Sequence, residues 1–485
     1  MHRRPLSILR LNCALLLGLW AALLLFQPDQ RDGLRGGDNL FIQGHYYAAL
    51  DHYQHLAPSA LRDIRLGMLR TIRGEYAQAE RDLRRGLNQQ LQPAERSMGL
   101  IYLGQVLAMR DQAYAAQWAL LPPCAANPLM CEALGVAEVL RAAQAQRTHN
   151  DAAAYAAYRT ALTLLPAGPW YDYAQRWMAT LEAERDPTAA LSLLQTPTPT
   201  YSATNPLLQP LLPNDAPNRT AILAALTNPP NEQALQLAEL FLAVGRYAPA
   251  ATWFAQVPKD GPHALAAAVG SAYAHWRLGD QPTALADLEH LVQTHPEEPR
   301  LQAMRALAYL AAERTSEVQA LIDQLAAAPA TAADAALAQA SLAVAQRDYV
   351  AASVAYQQAI ARSTPARRGA IALLVAQFHL TTAYDLCGPG LIAAEIAVTS
   401  FPQSAESWAT VAIARQRCST PESAIAAAQR ALALAPRADV AYHLGLARIA
   451  QGDRGGARIA LIQAADLAPA SVWRMRAEAV LGQLR

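Results

Sequence analysis

Ala424, Ala431 and Pro436 recur 33 residues later as Ala457, Ala464 and Pro469, with apolar residues in the intervening slots of both copies. A repeat of this length is one supersecondary unit that cannot bury its apolar face alone and must cover it with the next copy. The fold is therefore constrained to a stack of like units. In the last copy Leu444 and Gly445 precede Gly452, Ala457, Leu461, Ala464 and Pro469. Gly445 and Ala457 are small where two antiparallel helices approach, and Leu444 and Leu461 fill the space between them. Gly452 suits a left-handed helix end, and Pro469 stops the second helix.

The same order of residues returns along most of the chain. Gly44, Tyr46, Ala49 and Tyr53 form half a unit, and Leu66, Gly67, Gly74, Tyr76, Ala79 and Leu83 a nearly full one. Leu103, Gly104 and Ala116 continue it, followed by Ala154, Tyr158, Ala161, Leu162 and Pro166. Further copies contain Gly245, Tyr247, Ala250 and Phe254, then Gly279, Ala284, Leu288 and Pro296. Tyr349, Ala352, Tyr356 and Ala359 precede the penultimate unit, marked by Trp408, Ala412, Ala424, Ala431 and Pro436. On these residues the chain resembles the tetratricopeptide repeat (TPR) family, whose unit is roughly 34 residues.

That resemblance implies an all-α fold, a tetratricopeptide-type α-solenoid in which helix hairpins wind as a right-handed superhelix. About eleven units are expected between Asp38 and Pro469. Three stretches depart from the pattern: the unit around Leu134 and Gly135, the segment from Pro365 to Pro402 with its Gly388-Pro389-Gly390 turn, and the segment from Glu297 to Ala328, which lacks the turn glycine. Eight prolines between Gln195 and Asn231 interrupt helix formation, leaving room for one short helix near Thr220 to Leu226. The expected organisation is an N-terminal array over 38–194, a Pro-rich connector over 195–230, a C-terminal array over 231–470 and a capping helix over 471–485. Composition agrees, because 53% of the residues are hydrophobic and strong helix formers dominate nearly every window. A stack also accommodates 485 residues without one oversized core.

The N-terminus carries an apolar run from Leu11 to Phe26, preceded by Arg3, Arg4 and Arg10. As a helix, residues 6–26 would cover about 31 Å, the thickness of a bilayer core. A cleaved signal peptide opens the same way, but no small-x-small site follows Phe26, which favours an uncleaved transmembrane helix. Residues 1–10 then form a basic cytoplasmic N-terminus, and the arginine bias places the repeats on the extracytoplasmic side of a single-pass membrane protein. The opposite orientation stands beside that reading, since the bias is modest. Cys13 lacks the context of a lipoprotein cysteine.

Four further cysteines are an even number, as an oxidising compartment permits. Cys124 and Cys131 bracket a short Pro-containing connection. Cys387 and Cys418 fall near turns of adjacent units on one rim, so disulfides 124–131 and 387–418 are set against buried thiols acting as small apolar residues.

Chemistry is sparse. No phosphate-binding glycine loop, paired CxxC, HExxH or GxSxG occurs, so no catalytic residues, cofactor or metal are expected. His45, His52 and His55 share neighbouring parts of one helical face, which suits either a metal site or an exposed polar surface; His290 and His295 flank a helix end. Net charge is +1, which argues against nucleic acid as a partner. Lys259 is the sole lysine beside 39 arginines, a bias that suits either GC-rich coding or selection for bidentate anion recognition.

The family resemblance places the binding groove along the first helices of the hairpins, with Tyr273, Trp276 and Arg277 in one unit and Tyr442, Leu446 and Ile449 in the last. Their alternative role is packing between repeats. The scarcity of lysine disfavours the clamp that some family members use on chaperone tails. The expected function is a membrane-anchored, non-catalytic scaffold binding a protein or extended peptide in the cell envelope. The alternative is an accessory or regulatory subunit of a membrane polysaccharide-processing or secretion system.

Overall fold

The computed structural model describes residues 30–484 apart from 111, 113–114, 122, 125–127, 197–204 and 296–298. The transmembrane helix read over 6–26, the basic segment 1–10 and Cys13 lie outside the described residues. Among the described residues all regular structure is helical, and no helix is long and apolar enough to cross a membrane.

The chain forms two compact units. The first runs to Ala133 and includes Asn205–Leu211. It contains α1 (Gln30–Ile42), α2 (Tyr46–His55), α3 (Ala60–Ile72), α4 (Tyr76–Leu87), α5 (Pro93–Met109), the short α6 (Ala115–Trp118), the start of α7 (Pro128–Arg147) and a 3-10 helix at Pro206–Leu211. The second unit continues through α8 (Asp151–Leu164), α9 (Pro169–Ala183), α10 (Pro187–Gln195), α11 (Arg219–Thr227), α12 (Pro230–Ala243), α13 (Tyr247–Phe254), α14 (Ala264–Arg277) and α15 (Gln281–Thr294). It then carries α16 (Pro299–Ala311), α17 (Thr315–Ala326), α18 (Ala332–Ala345), α19 (Tyr349–Arg362), α20 (Pro365–Thr382), α21 (Leu391–Ser400), α22 (Ala405–Cys418), α23 (Pro421–Leu434), α24 (Ala438–Gln451), α25 (Arg454–Leu467) and α26 (Val472–Gln483).

Local sequence explains most helix starts. Pro93, Pro169, Pro187, Pro365 and Pro421 stand in the first turn of their helices, where a missing N–H costs nothing. Asp186, Asp280, Asp348 and Asp453 cap α10, α15, α19 and α25 by accepting a backbone N–H from the first turn.

The turns inside the hairpins share one device. In α14–α15 the Asp280 N–H donates to the His275 carbonyl at 3.0 Å, with Gly279 at φ +83°; in α24–α25 Asp453 donates to Arg448 at 2.9 Å, with Gly452 at φ +88°. This helix end needs a left-handed residue. Where glycine is missing the turn persists: Glu313 adopts φ +57° after α16 and Arg347 φ +60° after α18, with Arg314 and Asp348 donating back at 2.8 and 2.9 Å. The segment without the turn glycine thus keeps the hairpin and strains an ordinary residue. Replacing Arg347 by glycine is expected to raise stability by about 0.5–1 kcal/mol, the left-handed cost less the entropy glycine adds to the unfolded chain. A shift of the urea midpoint at constant slope measures it.

Packing within hairpins follows the small-residue ladder. A Cβ at Gly445 would lie 2.7 Å from Leu461 Cγ, so only glycine lets α24 and α25 close to this separation. Around it, Val440, Leu444, Ala457, Leu461 and Ala464 are buried. Successive first helices are also joined by ion pairs. In the first unit Arg65 of α3 donates from Nε to Asp38 of α1 and from Nη1 to Glu95 of α5, both at 2.8 Å. In the second, Arg367 of α20 donates to the buried Asp334 of α18 at 2.7 Å.

The Pro-rich stretch is structured on both sides of the undescribed residues 197–204. Leu207, Leu208 and Leu211 are buried in the first unit, where Tyr102 donates its hydroxyl hydrogen to the Leu207 carbonyl at 2.6 Å. The buried Glu132 carboxylate accepts the Asn205 N–H at 2.8 and 2.9 Å, and burial holds its carboxyl above the usual range. In the second unit Arg219 anchors α11 by donating to the Leu194 carbonyl at 2.7 Å and to Gln175 at 2.8 Å.

Candidate functional site

On α14 the three aromatic and arginine positions separate by role. Trp276 is half-buried and packs with Leu285 and Met304 against the core formed by Ala272, Leu288 and Ala308. Tyr273 and Arg277 are exposed one turn apart, as expected for positions i and i+4 of a helix. Arg277 Nη1 donates to the Tyr273 hydroxyl at 2.9 Å, and the guanidinium carbon lies 4.5 Å from the centre of the Tyr247 ring and 5.8 Å from that of Tyr273. That hydrogen bond, with the two phenolic groups, holds the Arg277 guanidinium above its ordinary range.

Tyr247 completes this patch from the first residue of α13, a position legible as a repeat residue but not as a binding one. Its signal is the sequence Gly245-Arg246-Tyr247: the left-handed glycine, at φ +75°, ends α12 and starts α13 with the ring turned to α14. The result is a guanidinium oriented by two aromatic rings, with most of its donors left to solvent. Such a surface can accept a carboxylate or peptide carbonyl and cover apolar groups with the rings.

The second set lies on α24, where Tyr442, Leu446 and Ile449 are each half-buried. Tyr442 stacks obliquely on Trp473 of the terminal α26 with ring centres 5.7 Å apart, and Arg476 covers the other ring system at 5.0 Å. Part of the last hairpin's surface is thereby closed by its neighbour. Next to it His443 is buried, with Nδ1 3.1 Å from Gln416 Oε1. Burial, aided by Arg417 and Arg476 against the opposing Asp439, pushes its pKa down to about 4 from 6.5.

A histidine kept neutral in the fold protonates first in the unfolded chain. Stability from His443 is therefore complete above about pH 6.5 and falls between 6.5 and 4, by on the order of 3 kcal/mol across the window. His443→Gln should flatten this part of a melting-temperature profile measured against pH.

Cys124 and Cys131 are joined as a disulfide with Cα atoms 4.5 Å apart, and Cys387 and Cys418 with Cα atoms 5.1 Å apart. Cys387 lies in the π-type turn Leu386–Gly390, entered through Ala383 and Asp385 at φ +55° and +42°. Cys418 ends α22.

The histidines of the first unit have separate partners. His52 Nε2 lies 2.9 Å from the Gly33 carbonyl, His55 Nδ1 lies 2.7 Å from the Asp51 carbonyl, and His45 precedes α2. Among the described residues no group of three or more histidine, cysteine, aspartate or glutamate side chains is arranged to hold a metal ion.

No protein-family model matches the chain, and no curated protein does. Among solved structures, YrrB, described as a TPR protein with an unusual peptide-binding site, aligns at 15% identity and TM-score 0.34 over 40% of this chain and 97% of its own. A tetratricopeptide repeat protein from Parabacteroides merdae aligns at 15% identity and TM-score 0.29, over 52% of this chain and 98% of its own. Yeast Tom70 aligns at 12% identity and TM-score 0.36 over 94% and 96% of the two chains. The assignment of a TPR-like fold rests on this chain's own hairpins, turns and helix packing.

Proposed function

We propose that the protein is a membrane-tethered, non-catalytic scaffold that uses the first helices of its hairpins to hold a protein or extended peptide on the extracytoplasmic side. The observation that carries this reading is the Tyr247–Arg277–Tyr273 patch, where a charged donor is already oriented by aromatic faces before a ligand arrives. Preorganisation of that kind lowers the ordering cost of binding, and aromatic residues with arginine dominate interface hot spots. The apolar segment 6–26 supplies the tether, and two cysteine pairs suit an oxidising compartment.

Selection of a displayed random-peptide library against the full chain in lipid nanodiscs tests the binding surface. Enriched peptides are expected to lose at least about tenfold in affinity for the Tyr273→Ala/Arg277→Ala double variant. Peptides that bind wild type and double variant alike would remove the patch from the function. The tether is checked separately, since the full chain should resist alkaline extraction from membranes and a chain beginning at residue 30 should not.

A further inference from the structure

A cavity of about 460 Å³ opens among α13, the connection that follows it, α14 and α15 in the second unit. The repeat itself explains why space remains there. With Gly279 aligned on Gly452, the buried Val440 and Leu444 of α24 correspond to Ala267 and Ser271 of α14. Both replacements line the cavity. Two large aliphatic side chains that fill the last hairpin are thus absent here, and a volume in the ordinary range of ligand sites is left. Its walls are apolar, from Phe254, Val257, Leu265 and Leu291.

Its polar lining is mixed, with Ser271, Thr294 and Asp287 beside three basic side chains. Lys259, the one lysine in a chain of 39 arginines, lines the cavity, and so do His290 and His295. The carboxylate among the lining residues, Asp287, is engaged by His275 Nδ1 at 3.0 Å. We infer that this cavity is a small-molecule site for an apolar monocarboxylate, whose hydrocarbon part occupies the space left by Ala267 and Ser271 and whose carboxylate meets Lys259 and His290. The site is independent of the tyrosine–arginine patch, because Tyr273 and Arg277 do not line it.

Titration of the full-length protein with octanoate, with octanamide as its neutral counterpart, tests the assignment by calorimetry. Octanoate should bind with saturation at one site, and octanamide at least about tenfold more weakly. Lys259→Met, an exposed substitution with no effect expected on folding, should reduce octanoate affinity by a similar factor and leave octanamide unchanged. Ser271→Leu restores the residue of the last hairpin and should abolish binding of both compounds; its helical circular dichroism must match wild type. Absence of octanoate binding at millimolar concentration, equal affinity for the amide, or an unchanged octanoate affinity in Lys259→Met would each overturn the proposal.

Discussion

Arg65→Ala is expected to destabilise the first unit by about 3–5 kcal/mol, the usual result when one partner of a buried charge cluster is removed. The Arg65 side chain is 5% exposed and serves two carboxylates on different helices, Asp38 of α1 and Glu95 of α5. Burial alone would favour its neutral form, yet the two carboxylates outweigh that and hold the guanidinium above its ordinary range. Tyr53 adds a hydroxyl donated to Asp38 at 2.7 Å, and burial with that neighbouring charge pushes the phenol up as well.

Alanine at position 65 would leave the part-buried Asp38 and Glu95 carboxylates without their shared counter-charge. Neutralising them in the triple variant Arg65→Met/Asp38→Asn/Glu95→Gln should recover much of the loss, because the uncompensated charges cause it. Urea unfolding, followed by proteolysis at sites in residues 30–110, reads both effects. Equal stability of Arg65→Ala and wild type would show that water reaches the cluster.

The second large effect concerns Cys387 and Cys418. Their link closes a segment with a sequence separation of 31, and replacing both by alanine is expected to cost about 3–4 kcal/mol through the restored freedom of the unfolded chain. The pair at Cys124 and Cys131 spans only seven positions and should matter less, by roughly 1 kcal/mol. Comparison of melting with and without reductant separates the bond from the packing. Reductant should lower the melting temperature of wild type and leave the Cys387→Ala/Cys418→Ala variant largely unchanged in this region. Insensitivity of the wild type would mean that the thiols are free in solution.

The hairpins were legible because glycine, proline and alanine act locally. Pro365 and Pro421 mark helix starts through the backbone itself, and Gly452 marks a turn through its own φ. A turn built on Glu313 or Arg347 has no such signature, since those residues enter the left-handed region only because packing of the flanking helices compels them. The burial of Leu207, Leu208 and Leu211 was hidden for a related reason. Prolines around them rule out a long helix but say nothing about which distant residues, here Tyr102 and Glu132, receive the segment. At the candidate site, spacing located Tyr273 and Arg277 on one face of α14, whereas the share of Tyr247 depends on the angle between two helices.

The covalent link between Cys387 and Cys418 also bears on mechanics. Helix pairs in the second unit meet mostly their neighbours in sequence, so tension applied along the chain should extend it hairpin by hairpin, as a spring yields coil by coil. The bridge withholds the 31-residue span from that extension, on the order of 100 Å of contour. Force would then pass through this part of the molecule by way of two sulfur atoms, and the length of chain free to extend would depend on the redox state of its surroundings.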